Sequence, residues 1–509
     1  MKIAAIHCCL LQYECVSCDP KSFPGLRLFN FNTRNTVTFF NTTLSALFIL
    51  FSLHPMSAAP QDGYAIVVSK ESVAEPAWQA VCEALRKKYP EASTILYPKG
   101  DLPSIQAELS KIHPKYACFV TPHESINPEF VAAVHQLTRK LDDDPYTDVL
   151  WGILTGYDAA NALTIAQTEA PLTIERVGSG TEVALERCKE GIWFCELEKN
   201  RKVEKKQGGE AVQSKGPDDT TAALASTLSD YKAQLFVTSG HATERNWQIG
   251  FSYRNGYFKC KAGQLMGHPV KGDPFKITAP EPKIYMPIGN CLMGNIDGDE
   301  AMALAWMNSA GVRQMLGYTV PTWFGYAGWG CLDYFVEQPG RYTFAEAFFA
   351  NQHALIHKLE SLQPGMAKRP LKDPNDATKA RSELKTQESL GMLFDRDALV
   401  FYGDPAWSAK MAPGPLAYLQ NLTKNDTGNY VLTITPNEGA TSFDPVNLNG
   451  SQRGGRPFVQ FLADRAGTPK ILKGAEWNPV ITDDFILVPN PGKCDKDTPI
   501  IIEFSTTKP

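Results

Sequence analysis

Positive charge is in short supply in this sequence. Its 509 residues carry 50 Lys and Arg against 55 Asp and Glu, a formal net charge of −5. Nucleic acid is therefore not the expected partner, because that partner calls for a basic patch. Zinc spacing is missing too. Cys15 and Cys18 form one Cys-x-x-Cys pair, and no second pair follows, so a four-cysteine zinc site is not expected. Beyond residue 59 the cysteines are Cys82, Cys118, Cys188, Cys195, Cys260, Cys291, Cys331 and Cys494. They are scattered and too few for a disulfide scaffold in a chain of this length. No apolar run approaches the ~20 residues that a membrane helix needs. No stable membrane span is expected once a leader is removed.

What is present is the composition of a folded protein, 43% hydrophobic and 21% charged, and its length suggests roughly three domains. Residues 1–59 stand apart. The short apolar run 44–53 (LSALFILFSL) is preceded by Arg27 and Arg34 and followed by Ser57-Ala58-Ala59. That order describes a secretory signal peptide; a buried helix is the other reading. Export implies a secreted, periplasmic or cell-surface protein in an oxidising compartment.

From 60 to 190 the apolar pattern alternates. Strands are expected at 64–69, 93–97, 116–121 and 149–154, and helices at 77–89, 102–112, 129–141 and from 159. Such alternation defines an α/β subdomain with a doubly wound sheet. A second, catalytic α/β subdomain is expected over 191–412, opening with a strand at 191–197. The charged stretch 198–219 reads as a solvated loop, a candidate self-cleavage site or cover. The segment 319–330 reads as an aromatic, Gly-rich loop, and 366–390 as an exposed helical insertion. From 413 to 509 helical periodicity disappears. Short alternating runs broken by Asn, Gly and Pro suggest a small β-sandwich.

The chemistry concentrates between 233 and 330. Two short apolar runs, 235–237 and 284–288, stop at small residues and deliver His241 and Cys291. Loops after the carboxyl ends of parallel strands are where open α/β folds place reactive groups. A thiol attacks as the thiolate, and an imidazole can take its proton and return it to a leaving group. A His some fifty residues ahead of a Cys fits the caspase-type order, whereas papain-type enzymes place the Cys first. The plainer reading is a small buried Cys and a strand-end His. His123, after the strand at 116–121, has no companion Cys at useful spacing and reads as structural.

Several segments together resemble the gingipain-type cysteine peptidases, a caspase-fold family. Gly240-His241-Ala242-Thr243 with Trp247 resembles their His segment. Ile288-Gly289-Asn290-Cys291 followed by Asn295-Ile296-Asp297-Gly298-Asp299 resembles their nucleophile loop. Gly403-Asp404-Pro405 resembles the element closing their catalytic domain, and 144–152 a strand entry in their first subdomain. The resemblance spans most of 62–411 with the elements in the family's order. It implies a caspase/gingipain-like fold in two subdomains followed by an immunoglobulin-like domain. It also implies a secreted endopeptidase acting on polypeptides, with Cys291 as nucleophile, His241 as base and then acid, and the backbone N–H groups of Ala242 and Cys291 as the oxyanion hole. No cofactor is required for that chemistry. Glu196 and Glu198 match, by position, an acid that orients the imidazole; surface acids are the alternative.

Two departures stand out. Ala242 replaces the family's Gly, and would be strained if a positive φ were needed there. The chain also has little room for the helix and strand that the family carries before its His strand. Trp247 and Trp323 are candidates for lining the substrate pocket, with packing as the alternative. Asp142, Asp143 and Asp144 with Asp148 make a carboxylate cluster suited to Ca²⁺, and the same reading extends to Asp297 and Asp299; solvated loop acids are the alternative. Two rival functions stay open: a catalytically inactive gingipain-like binding protein, and a thiol hydrolase or transpeptidase acting on a cell-surface polymer.

Overall fold

The short apolar runs come together in one twelve-stranded sheet in the computed structural model, which describes residues 63–494 and 498–507. The expected signal peptide lies outside the described residues. In chain order the strands are β1 (Tyr64–Ser69), β2 (Ser93–Tyr97), β3 (Tyr116–Val120), β4 (Leu150–Leu154), β5 (Arg176–Ser179), β6 (Glu190–Phe194), β7 (Arg201–Lys205), β8 (Ala211–Lys215), β9 (Leu235–Thr238), β10 (Lys283–Pro287), β11 (Val312–Tyr318) and β12 (Leu399–Tyr402). Their spatial order is β2-β1-β3-β4-β12-β11-β10-β9-β5-β6-β7-β8. The inner strands β1, β4, β9, β10 and β12 are buried at every position. That is why they read as unbroken apolar runs rather than alternating ones.

The sheet has two parallel halves. Neighbours are parallel from β2 to β12 and again from β11 to β6, while β11 and β12 run antiparallel. Carboxyl ends of the first half therefore lie at one edge and those of the second half at the other. Two separate doubly wound sheets were expected; instead β12 returns from far along the chain and pairs with both β4 and β11, closing the gap.

Helices cover the faces: α1 (Pro76–Lys88), α2 (Gln106–Ile112), α3 (Pro128–Thr138), α4 (Ala159–Ala166), α5 (Thr221–Ser229), α6 (Met302–Ser309), α7 (Tyr326–Phe335), α8 (Phe344–Leu362) and α9 (Gln387–Asp395). Their starts are written in side chains. Asn127 accepts from the N–H of Phe130 ahead of α3, Asp158 from that of Asn161 ahead of α4, and Thr343 with Glu346 forms a capping box on α8. Each satisfies an N–H that the first turn leaves without a helical partner.

Four sequence expectations change. The stretch 198–219 is largely a hairpin, β7–β8, because Val203 turns inward while its charged neighbours face out and β6 offers an edge. Helix α5 then precedes β9, so the helix thought to lack room is present. Strand β5, with Gly178 and Ser179 in a four-residue run, was not foreseen. The 319–330 loop becomes α7 from Tyr326 onward. The exposed helical reading of 366–390 matches a largely exposed 3₁₀ segment (Pro374–Glu383), which leads into α9.

Asp404, of the Gly-Asp-Pro segment, is a buried staple. It accepts from Tyr64 Oη at 3.0 Å, Tyr89 Oη at 2.7 Å and Lys88 Nζ at 2.8 Å. From Tyr418 onward two antiparallel sheets, of four and three strands, enclose an apolar core around Leu432, Phe458 and Phe504. This region is tied to α7, since Asp333 accepts from both Arg453 and Arg456.

Candidate active site

β9 and β10 are adjacent and parallel, with Leu235 opposite Ile284 and Thr238 opposite Pro287. Their carboxyl ends lead into neighbouring loops, one carrying His241 and the other Cys291. Gly240 takes φ 92°, a left-handed turn that a side chain would resist, and this turns His241 out of the sheet. Asn290 fastens the two loops. It is fully buried, its Oδ1 accepts from Thr238 Oγ1 at 2.7 Å, and its Nδ2 donates to the Gly240 carbonyl at 3.0 Å. Thr238 in turn meets Tyr285 Oη at 2.9 Å. One buried amide thus joins the residues that precede His241 and Cys291.

The imidazole of His241 stacks on Phe251, centroids 4.6 Å apart. Partial burial there holds it below the usual histidine range. Among the described residues neither ring nitrogen has a hydrogen-bond partner, and no hydrogen bond joins the imidazole to the thiol. Neither proposed orienting acid reaches the ring. Glu198 is exposed and pairs with Arg201 at 3.4 Å. Glu196 is buried beneath the His loop, accepting from Thr181, from Ser239 at 3.1 Å and from Asn449 at 3.4 Å. Burial pushes its carboxyl above the usual range. Its backbone carbonyl takes the N–H groups of Phe251 and Ser252 at 2.7 and 3.0 Å. Glu196 therefore positions the ring that supports His241 and not His241 itself.

Trp247 is also not a pocket wall. It is wholly buried against Phe236 and Phe258, and its indole N–H donates to the Ser239 carbonyl at 2.8 Å. Ala242 pairs with Trp247 in a short hairpin, and Gln248 N donates to His241 O at 2.9 Å. Antiparallel pairs alternate, so the Ala242 N–H points away from its partner strand. Its φ is not positive; Gly240 takes the left-handed position, so Ala242 is tolerated without strain.

On the other side, Thr322 N donates to Cys291 Sγ at 3.3 Å and Thr322 Oγ1 donates to the Asn290 carbonyl at 3.3 Å. Cys291 is half-buried. Leu292, the next residue, takes φ 58°, a conformation that costs a non-glycine about 1 kcal/mol or more and clusters at functional sites. Helix α7 presses against this loop: a Cβ on Gly328 would lie 2.0 Å from the Ile288 carbonyl oxygen. Trp323 is 38% exposed beside Thr322, resting on Phe394. Trp329 packs over Gly289, with Gly450 of the carboxyl-terminal region on its other ring.

The carboxylates separate into two places. Asp297 pairs with Arg245 at 2.8 Å, and Asp299 meets His123 Nε2 at 3.1 Å. Neither joins Asp144 and Asp148, which cluster with Asp142, one oxygen of each lying within 4.8 Å of the others. Burial, then the neighbouring carboxylates, pushes Asp148 up to about 9, and burial is the main reason Asp144 rises to about 6. Three crowded carboxylates suit a hard cation with oxygen ligands.

Cys82, Cys118, Cys188, Cys195, Cys260 and Cys331 are not in disulfides. No described helix is long and apolar enough to cross a membrane. No family model matches the chain, and no curated protein matches it. A solved structure described as "Structure of Protease" is similar at 10% identity with a TM-score of 0.34, over 87% of this chain and 97% of that one. A likeness that loose assigns neither a fold family nor a chemistry.

Proposed function

We propose that this protein is a secreted cysteine endopeptidase of the gingipain-like, caspase-fold kind, as the sequence resemblance implies. The observation that carries the reading is the Asn290 bridge, which binds the His241 and Cys291 loops at the ends of two adjacent strands. His241 takes the proton of Cys291, and the thiolate attacks the substrate carbonyl. The N–H groups of Ala242 and Cys291 receive the negative oxygen. The imidazolium then protonates the leaving amine, and an acyl-enzyme remains. Water, deprotonated by the same imidazole, attacks that thioester, releases the acid and restores the thiol. Asp142, Asp144 and Asp148 would hold a structural Ca²⁺ distant from this chemistry, and the β-sheet region from 418 onward is an immunoglobulin-like brace.

The inactive binding protein is the second reading. It is favoured by the lack, among the described residues, of a hydrogen-bond partner on either ring nitrogen of His241. Resting geometry of this kind often tightens only with substrate present. The test is digestion of a denatured protein mixture by the full chain, read by mass spectrometry, with Cys291→Ala in parallel. Cuts made only by the intact protein establish the peptidase; equal silence from both overturns it.

A further inference from the structure

Beside His241 lies a hollow of about 560 Å³ that the chemistry above does not use. Its walls include Phe251, Tyr253, Tyr257 and Gln248, and its one charged lining residue is Arg254. We propose that this hollow is the subsite for a carboxylate carried by the part of the substrate that follows the scissile bond. The proposal rests on the peptidase reading and adds to it a preference on the leaving-group side.

The placement follows from the proton. His241 must deliver it to the leaving amine, so the chain beyond the cut passes over the imidazole. Phe251 stacks on that imidazole and is also a wall of the hollow. Side chains just past the cut therefore have the hollow next to them. Its size is that of an ordinary ligand site, 300–1,000 Å³, and takes one or two side chains.

The charge follows from what faces the hollow. Arg254 is exposed and has no ion pair or hydrogen bond among the described residues. Lys259 adds a second positive charge, its Nζ 5.5 Å from the Tyr257 ring centre. The nearby acids are already engaged. Asp219 accepts from the backbone of Thr221 at 3.0 Å and from that of Val270. Glu196 lies beneath the loop, bonded to Ser239 and Thr181, and its burial favours the neutral form. An incoming carboxylate thus meets the Arg254 guanidinium on the wall, with Lys259 behind the Tyr257 ring and aromatic walls for its methylene groups.

The loop is built to hold this shape. Phe251 and Ser252 are held by the Glu196 carbonyl, Tyr253 Oη donates to Cys195 O at 2.7 Å, and buried Asn255 accepts from Thr220 N at 3.1 Å. None of these anchors uses the Arg254 side chain, so replacing it leaves the fold intact.

Two measurements on the full chain test the proposal. In the first, Cys291→Ala protein is titrated with fluorescent peptides Ser-Glu-Asp-Gly and Ser-Gln-Asn-Gly, each with a free and an amidated carboxyl end. The acidic pair is expected to bind roughly three- to ten-fold tighter, and Arg254→Ala to remove the difference. The amidated arm tells a side-chain carboxylate from a terminal one. In the second, cleavage profiles of the intact protein and Arg254→Glu are compared, and the acidic preference after the cut is expected to turn towards Lys and Arg. Acid-dependent binding without cleavage keeps the subsite and overturns the peptidase. Cleavage with a profile indifferent to Arg254 keeps the peptidase and overturns the subsite.

Discussion

Two histidines follow the carboxyl ends of parallel strands, one in each half of the sheet. His123, after β3, is buried, with Nδ1 at 3.2 Å from the Gly156 carbonyl and Nε2 at 3.1 Å from Asp299. His241, after β9, is open to solvent on one face, rests on Phe251 with the other, and keeps both nitrogens unbonded among the described residues. The same residue type at the same kind of position is held in opposite ways. A ring whose two nitrogens are engaged holds loops together; a ring with free nitrogens is available to move protons.

The comparison breaks most sharply by exchange of alanines. His241→Ala should lower kcat at least ~100-fold, the low end of general acid–base catalysis, with the unfolding midpoint in urea nearly unchanged. His123→Ala should show the reverse, cutting peptides at close to the normal rate while losing about 1–3 kcal/mol as the buried Gly156 carbonyl gives up its partner. Equal activity loss in both variants would remove the distinction.

Asn290→Leu comes next. It leaves the Gly240 carbonyl without its Asn290 donor and Thr238 Oγ1 with Tyr285 alone, so stability should fall by about 1–3 kcal/mol. Activity should fall roughly ten-fold through kcat, because the loops carrying His241 and Cys291 lose their tie. A fall in stability alone would make Asn290 a core residue only.

Calcium sets the same contrast for carboxylates, clustered in Asp142, Asp144 and Asp148 but engaged singly in Asp297 and Asp299. Thermal unfolding with and without Ca²⁺ should show stabilisation of about 2.7 kcal/mol at a hundred times Kd. Asp148→Asn should abolish that gain and Asp297→Asn should not. Equal gains in both variants would place the ion elsewhere.

The smallest effect concerns pH. His353 is buried against Phe485 with neither nitrogen bonded among the described residues, and burial holds it down at about 3; His135, bonded through Nε2 to the Leu399 carbonyl, is held down at about 4 for the same reason. Both are neutral in the fold, whereas the unfolded chain takes up protons below about 6.5. Their contribution is therefore whole above that pH and is lost as pH falls from about 6.5 towards 4 and 3. Urea titrations should show that loss, and His353→Phe should remove about one proton, or ~1.4 kcal/mol per pH unit, from the slope. For activity the sign is different in kind. His241, held below its ordinary value, stays a base at lower pH, so the acidic limb of kcat/KM should lie below that of an unperturbed histidine.

Much of this was legible in residues, and what was not has a physical reason. Strands β1, β3, β9 and β10 announce themselves because both faces are buried, and His241 and Cys291 sit where those runs stop. Sheet order is a different kind of information. Nothing local in Leu399–Tyr402 says that it belongs between β4 and β11, since a four-residue apolar run fits any interior slot. The β7–β8 hairpin is masked by its charge, because only Val203 faces in. Glu196 matched an acid by position, yet its side chain turns away from the imidazole, a rotamer that spacing does not encode. Asn290 lay in plain view beside Cys291; its signal was a polar amide three residues past a wholly buried strand, where burial requires partners.

The position of β12 also imposes an order in time. A ribosome delivers β4 and β11 long before it delivers the strand that lies between them. Until residue 402 has emerged, each half exposes a bare edge of backbone N–H and C=O groups, the kind of edge that pairs with whatever chain is nearest. Closure awaits a contact across some 250 residues of sequence, β4 to β12, which makes it slow relative to helix or hairpin formation. A nascent chain stopped short of β12 would hold two half-sheets and no completed molecule.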